Sequence, residues 1–416
     1  MINKFKPKSD FSSNVLTLMT GTTIAQAIPI AISPILTRIY TPEDFGVFTL
    51  FIAISSIFGS IVTGRYELAI MLPEKDEDAI NIFALGFLIT FFISLILFIV
   101  IFLFHKYFIQ FLHNMEIGVW LYFVPISVFF IGIYNLLNYF NNRKKNYKDI
   151  SNATIVKAIV LAIIQLSVGF IQQGATGLIS GQIISNMFAN LKLVKNIMRD
   201  QILLSSISKI KIIFLAKKYK DFPKFSMLAV LANSLSQHLT NILISTFYSV
   251  STLGLYSLVY RVLGIPSALI GRAIGQVFFQ EATKEKQKTG KTIKSFNSTL
   301  KKLIILGLPF FSILFFIIKD IFIIVFGESW LEAGRYAQCL IPLFFVKFIS
   351  SSLSSVLVVY EKQKSELIIN IILLSSAIGV IYYSIDFDTF LFLFIWVMIM
   401  NYIVFVLYYY KLSKGN

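Results

Sequence analysis

The chain has 416 residues, of which 56% are hydrophobic and only 14% are charged. Soluble domains carry roughly 45–50% apolar and about 25% charged residues, so this composition excludes an ordinary soluble protein and predicts a membrane protein. A single cysteine, Cys339, excludes an internal disulfide and a cysteine-ligated metal cluster. The three histidines share no ligand spacing, so we expect neither a metal site nor a cofactor.

Apolar stretches recur along the whole chain, and each is about 20 residues long, enough to cross a bilayer as a helix. Helices are required because backbone polar groups in hydrocarbon must pair within the segment. The N-terminal lysines precede an apolar run as in a signal peptide, but no small-residue cleavage site follows, so we expect a retained first span. The sequence predicts an all-α polytopic membrane protein with about twelve spans, at residues 13–36, 43–64, 81–104, 118–140, 152–172, 174–194, 221–248, 252–280, 299–326, 335–360, 366–384 and 389–410.

Lysine and arginine are distributed unequally between the two sides of these spans. One side holds the N-terminal and C-terminal lysines and the basic loops at 192–220 and 284–302. The positive-inside rule therefore places both termini in the cytoplasm. The net charge of +16 is explained by topology and by contact with anionic lipid head groups, and we expect no nucleic-acid partner.

Two segments, one in each half, match without a gap. Residues 40–50 are YTPEDFGVFTL and residues 248–258 are YSVSTLGLYSL, an offset of 208 residues, half of the chain. Both fall in the short outer loop between the first two spans of their half. Chance similarity between apolar helices is the alternative. The repeat predicts an N-lobe at 1–208 and a C-lobe at 209–416, six helices each, related by a pseudo-twofold axis along the membrane normal.

Five basic residues fall within predicted spans: Lys157, Lys224, Arg261, Arg272 and Lys347. A charge at the centre of a span costs about 2.5–3.5 kcal/mol, so it normally faces the bundle interior or water. Lys224 is expected to snorkel to the surface, and Lys157 either does the same or faces the interior. On a continuous helix Arg261 and Arg272 lie about 20° apart on one face. The alternative is a structural role in which these side chains bond neighbouring carbonyls.

Amide side chains mark two further spans. Asn233, Gln237 and Asn241 follow each other at four-residue spacing in the seventh span, and Gln26 lies in the first. Such amides either join helices or line a hydrated cavity, and the repeat makes these two spans equivalent. No Asp or Glu lies near the middle of any predicted span. A cavity with Lys and Arg but no carboxylate favours an anionic substrate, because arginine forms paired hydrogen bonds with phosphate.

Three segments resemble bacterial polysaccharide flippases of the O-antigen and capsule type, within the multidrug/oligosaccharidyl-lipid/polysaccharide exporter superfamily. They are ILTRIYTPEDFG at 35–46, GRYELAIMLP at 64–73 and IGRAIGQVFFQEA at 270–282. The resemblance implies two six-helix lobes that open alternately to each side of the bacterial inner membrane. It also implies a polyprenyl-diphosphate-linked oligosaccharide as substrate, moved from the cytoplasmic to the outer leaflet for surface polysaccharide biosynthesis.

Such transport needs no covalent catalysis, so we expect a transporter and not an enzyme. The residues expected to bind the diphosphate and its sugars are Arg261, Arg272, Lys347, Lys157, Asn233, Gln237, Asn241 and Gln26. The ion pair expected between Arg65 and Glu67 at the cytoplasmic mouth is either a gate or purely structural, and Arg38 is the gate candidate on the outer side. We expect a monomer whose partners are the lipid-linked oligosaccharide, membrane lipids and assembly proteins such as a polysaccharide polymerase.

Three alternatives stay open at this point. A membrane glycosyltransferase or repeat-unit polymerase has similar hydropathy, but its catalytic groups need larger outer loops than these. A drug exporter of the same superfamily needs a buried carboxylate, which the predicted spans lack. Export of another anionic lipid-linked precursor, for peptidoglycan or teichoic polymers, fits the same residues.

Overall fold

The structure is a computed structural model that describes residues 10–415. The regular secondary structure of these residues is helical throughout, as the sequence predicts. The chain forms two compact units, Met1–His238 and Leu239–Asn416, whose boundary falls within one helix. The division into halves at residue 208 stays a prediction.

The first unit is built from long helices joined by short turns. Its helices are α1 Asp10–Ile39, α2 Pro42–Gly59, α3 Tyr66–Ala69, α4 Asp76–Leu112, α5 Ile117–Leu121, α6 Val124–Arg143, α7 Tyr147–Ile171, α8 Thr176–Met198, α9 Gln201–Ser205 and α10 Lys209–Lys218, followed by a π-helical turn at Phe222–Ser226 and by α11 Met227–Phe247, which continues into the second unit. α1 is continuous through Pro29 and Pro34.

The second unit contains the remaining helices. They are α12 Val250–Pro266, a π-helical turn at Ser267–Gly271, α13 Arg272–Thr289, α14 Ile293–Ile321, a π-helical turn at Phe322–Phe326, a 3₁₀ turn at Glu328–Trp330, α15 Leu331–Leu353, α16 Val356–Val359, α17 Gln363–Tyr383 and α18 Phe387–Ser413.

Ten helical segments among residues 10–415 are long and apolar enough to cross a membrane, so the chain is a multi-pass membrane protein. They correspond to ten of the twelve predicted spans. The predicted sixth span is α8, whose apolar character is diluted by Asn186, Asn190, Lys192 and Lys195. The predicted eighth span is interrupted, because the apolar α12 passes through a π-helical turn into the polar α13.

Tyr40 joins the ends of three helices in the first unit. Its ring lies between α7 and α8, and its hydroxyl donates to the backbone oxygen of Gln165 at 2.6 Å. Two glycines make room for it: a Cβ on Gly169 would lie 2.5 Å from the Tyr40 oxygen, and one on Gly177 would lie 2.0 Å away. Small residues of this kind allow close helix approach in membranes.

The repeated segments begin their helices in the same way. In the first unit Thr41 and Asp44 form a reciprocal capping box, with the Thr41 hydroxyl accepting from the Asp44 amide and the Asp44 carboxylate accepting from the Thr41 amide. In the second unit the Ser249 hydroxyl accepts from the Thr252 amide at 3.0 Å. The offset between these caps is the same 208 residues, so the repeat preserves the chemistry of the turn and not only its hydropathy.

A carboxylate caps α14 in the second unit. Glu285, near the end of α13, accepts from the backbone amides of Lys294 and Ser295 at 3.0 and 2.7 Å. Burial alone would raise the pKa of Glu285, but these amides and the Ser295 hydroxyl hold it below its usual value. The Thr292 amide donates to the backbone oxygen of Ser413 at 2.9 Å. The start of α14 is therefore hydrogen-bonded both to α13, through Glu285, and to the end of α18, through Ser413.

We predict that Gly177→Ala destabilises the protein, because the added methyl overlaps the Tyr40 hydroxyl. Overpacking of this kind costs about 1–3 kcal/mol, measured here as a fall in thermal stability of the detergent-solubilised chain. Gly379→Ala is the matched control, since a Cβ there meets no atom within 4 Å, and helix propensity should leave it neutral or more stable. In the double variant Gly177→Ala with Tyr40→Phe, the loss of thermal stability should be smaller than the sum of the two single losses, because the overlapping hydroxyl is absent. A loss equal to that sum would contradict the overlap between the added methyl and the Tyr40 hydroxyl.

Candidate functional site

Lys347 is the best-defined cation inside the second unit. It lies on α15, partly buried, with its ammonium 5.2 Å from the Tyr260 ring centroid and 5.3 Å from that of Phe344. These two rings meet edge to face at 4.9 Å. Among residues 10–415, no carboxylate oxygen lies within 4.0 Å of the Lys347 ammonium. Cation–π contact therefore supplies part of the stabilisation that a counter-ion would give.

Arg261 and Arg272 differ in their surroundings. Arg261 follows Tyr260 on α12 and is partly buried, whereas Arg272 begins α13 and is exposed. The π-helical turn Ser267–Gly271 separates them, and the Arg272 amide bonds five residues back to the Ser267 oxygen. The wider π turn changes the helical phase. The expectation that Arg261 and Arg272 lie about 20° apart on one face assumes a continuous α-helix, and that assumption is wrong.

Lys157 occupies a similar position inside the first unit. It lies on α7, partly buried, with its ammonium 5.1 Å from the Tyr134 ring centroid on α6. The Tyr134 hydroxyl lies 3.3 Å from the Thr154 hydroxyl. Within the described part of the chain, Lys157 also has no carboxylate oxygen within 4.0 Å. By contrast, Lys224 lies in the π-helical turn before α11 and is exposed, and its snorkelling to the membrane surface stays a prediction.

The predicted amide residues are accessible. On α11, Asn233 and Gln237 are exposed and bonded to each other, with the Gln237 amide donating to Asn233 at 3.0 Å. Asn241, two turns beyond Asn233 on the same helix, is partly buried within the second unit. Gln26 on α1 is exposed. These side chains are available for hydrogen bonding to a polar ligand, whereas Thr37 on α1 turns back to its own helix, donating to the Pro34 oxygen at 3.1 Å.

The predicted pair of Arg65 and Glu67 is present. The guanidinium lies 2.7 Å from the carboxylate, and the Glu67 side chain is only 2% exposed. Thr63 donates a hydrogen bond to Glu67, and the Arg65 Nε donates to the Ser226 hydroxyl at 3.4 Å in the turn before α11. The pair therefore links the start of α3 to the π-helical turn before α11. Arg38 is not part of it.

The separation of Arg38 from this pair follows from the length of α2. Arg38 is exposed in the last turn of α1, and α2 has 18 residues, about 27 Å at 1.5 Å per residue. The gate candidates therefore lie at the two ends of the first unit.

Sequence reasoning missed a second charged cluster. Arg143, in the last turn of α6, donates to the Asp76 carboxylate at 2.8 Å and to the backbone oxygens of Ile70, Pro73 and Glu74. The same guanidinium thus satisfies the turn between α3 and α4. The available signal was an arginine ending one span and an aspartate beginning another on the same side. This cluster is structural, because its donors are committed to protein acceptors.

A cavity of about 300 Å³ lies between α14 and α15 of the second unit. Phe311, Phe315 and Phe345 line it, together with Pro342. Its lining is almost entirely apolar, so it suits a hydrocarbon chain and not a charged group.

The fold is shared with known membrane exporters. The structure matches an inward-facing multidrug resistance MATE family transporter of the MOP superfamily, with a TM-score of 0.69, 13% identity and coverage of 95% of this chain and 94% of that one. It also matches the lipid II flippase MurJ, with a TM-score of 0.70, 12% identity and coverage of 96% and 87%. A MOP superfamily transporter from Pyrococcus furiosus matches with a TM-score of 0.58, 11% identity and coverage of 96% and 95%. The class is thus a polytopic protein with the MOP exporter fold.

Sequence comparison gives the family. A family model described as "Polysaccharide biosynthesis protein" matches residues 35–335, so the chain belongs to that family. The "Teichuronic acid biosynthesis protein TuaB" of Bacillus subtilis is 29% identical over 117 residues, which are 28% of this chain. The match spans about a quarter of the length of that curated relative, 24%.

We predict that Arg65→Gly is more stable than Arg65→Ala. Both changes remove the ion pair with Glu67, but Arg65 has a left-handed backbone with φ of 64° directly after Gly64 at 59°. A side chain costs about 1 kcal/mol in this conformation, which glycine avoids. Thermal unfolding of both variants measures the difference; equal stability would contradict a contribution from the left-handed turn.

Proposed function

We propose that the protein flips polyprenyl-diphosphate-linked oligosaccharides from the cytoplasmic to the outer leaflet by alternating access, for surface polysaccharides of the O-antigen or capsule type. One observation carries the proposal. Lys157 and Lys347 are partly buried within their own units, over aromatic rings and, among the described residues, without a carboxylate in contact. A cation in such surroundings favours an anionic ligand.

The proposed roles follow the chemistry of each group. Arg261 and Arg272 bind the diphosphate, because a guanidinium donates two parallel hydrogen bonds to phosphate. Lys347 and Lys157 add positive charge within each unit. The amides, accessible on their helices, hydrogen-bond the sugar hydroxyls: Asn233, Gln237, Asn241 and Gln26. The apolar cavity beside Phe311 takes the hydrocarbon tail.

The proposed setting is the bacterial inner membrane with both termini in the cytoplasm. Support comes from the basic segments at 192–220 and 284–302 and from the lysines near both termini, which the predicted topology places on one side. In this orientation the Arg65–Glu67 pair lies at the cytoplasmic end, where it acts as a gate between the start of α3 and the turn before α11. Breaking this ion pair would allow the start of α3 and the turn before α11 to separate.

A second candidate is export of another anionic lipid-linked precursor. The name of TuaB refers to teichuronic acid, and the fold is also that of a lipid II flippase. These substrates share anionic chemistry, so the same cations serve them. Drug export is disfavoured even though MATE transporters share the fold. The charged residues in the interior of α7, α12 and α15 are the cations Lys157, Arg261 and Lys347, whereas the carboxylates Asp149 and Glu332 lie in the first turns of α7 and α15.

We predict that depletion of the protein causes lipid-linked oligosaccharide to accumulate in the cytoplasmic leaflet and lowers surface polysaccharide. Lipid extraction with a membrane-impermeant glycan label distinguishes the two leaflets. Accumulation of a different lipid-linked precursor would select the second candidate. Normal surface polysaccharide together with an unchanged lipid pool would contradict both.

We further predict that Arg261→Ala and Lys347→Gln each lower transport about tenfold or more, because a hydrogen bond to a charged group contributes ~1.5–3 kcal/mol. Arg261→Lys should fall between Arg261→Ala and the wild type. Lys301→Ala is the matched control, since it removes one positive charge at an exposed position on α14 and should stay within about twofold. Transport is normalised to the amount of protein in the membrane, and wild-type rates in Arg261→Ala would remove Arg261 from the site.

A further inference from the structure

Helix α10, in the linker between α8 and α11, is fixed to the first unit at both ends. At its start the Ser208 amide donates to the Asn81 side chain at 2.8 Å, and Asn81 donates back to the Ser206 oxygen at 3.0 Å. At its end the Tyr66 hydroxyl donates to the Ala216 oxygen at 3.0 Å. Leu215, 2% exposed, completes the attachment.

The helix is apolar on two opposite faces. Ile212, Leu215 and Ala216 pack on the core of the first unit. Ile210 and Phe214, which are 80% and 63% exposed, project from the other side together with Ile213. At about 100° per residue the two faces are centred roughly 160° apart. We call Ile210, Ile213 and Phe214 the α10 outer face.

Lysines flank the α10 outer face. Lys209 and Lys218 lie about 90° to either side of its centre, and Lys217 lies within it; all three are exposed. A helix with an apolar strip bordered by lysines lies in the plane of a membrane, its apolar side chains at the acyl boundary and its ammonium groups among phosphates. The position of α10 agrees with this placement, since α8 precedes it and α11 follows it.

We propose that the α10 outer face is inserted in the interfacial region of the bilayer and that its lysines bind anionic phospholipid head groups. Charge complementarity selects the occupant: a negatively charged lipid surface offers phosphates on both flanks of an apolar strip. A protein partner would have to match lysines on both flanks of a strip only three side chains wide. The attachment through Asn81, Tyr66 and Leu215 makes α10 an anchor that holds the first unit to the membrane surface. This inference is independent of the transported substrate.

The test uses the full chain in nanodiscs, with Cys339→Ser as background and a nitroxide label on a single new cysteine. Phe214→Cys reports the α10 outer face, and Gln201→Cys, exposed on α9, is the matched control. Oxygen and a water-soluble nickel complex serve as relaxation agents, in membranes of phosphatidylcholine with or without phosphatidylglycerol. We expect the oxygen-to-nickel accessibility ratio to be several-fold higher at 214 than at 201.

The lysine contribution is tested separately. Phosphatidylglycerol should raise the ratio at position 214, and Lys209→Gln with Lys218→Gln should abolish that rise, since each lysine near an anionic surface changes partitioning about fivefold. Size-exclusion profiles verify folding of each variant. Equal ratios at 214 and 201 in both lipid mixtures would overturn the proposal. So would a ratio at 214 that falls with protein concentration and ignores phosphatidylglycerol, because that result indicates a second copy as the occupant.

Discussion

The rest of the structure depends on the requirement that backbone polar groups in hydrocarbon be hydrogen-bonded within the protein. It makes every span a helix. Between α14 and α15 the Gln338 amide donates to the Phe315 backbone oxygen at 2.9 Å. Polar side chains in these helices thus serve the backbone as well as a ligand.

The same constraint separates the charged residues into two groups. At the ends of helices, Arg143 and Arg65 bond to carboxylates, hydroxyls or carbonyls and so hold neighbouring segments together. Within the units, Lys157 and Lys347 contact aromatic faces. An aromatic face attracts a cation but does not neutralise it, so the second group retains its capacity for an anion. The roles that we propose for the two groups therefore rest on their partners and not on the residue type.

The helices were predictable because long apolar runs have one solution in a bilayer, and the Arg65–Glu67 pair was predictable because its partners are two residues apart. The contact of Tyr40 was not, since the glycines that receive it lie more than a hundred residues further along the chain. The π-helical turn between Arg261 and Arg272 was also hidden, because Ser267–Gly271 carries no residue pattern that distinguishes it from an ordinary helix. Local pairing is visible in sequence, whereas helix phase and distant contacts are set by packing.

The matching caps at Thr41 and Ser249 bear on the ancestry of the chain. Between them lie six helices of 18 residues or more, α2, α4, α6, α7, α8 and α11. The sequence predicts that all six cross the membrane, and all but α8 are also apolar enough in the structure to do so. A half-length gene that encodes an even number of crossings can be copied in tandem without inverting the second copy in the membrane. With an odd number of crossings, the second copy would be inverted in the membrane. The ancestral half-length chain would then have had to insert in both orientations before two copies were fused. With six crossings, simple tandem duplication would fit this fold, and the matching hydroxyl caps would be a feature that the two copies still share.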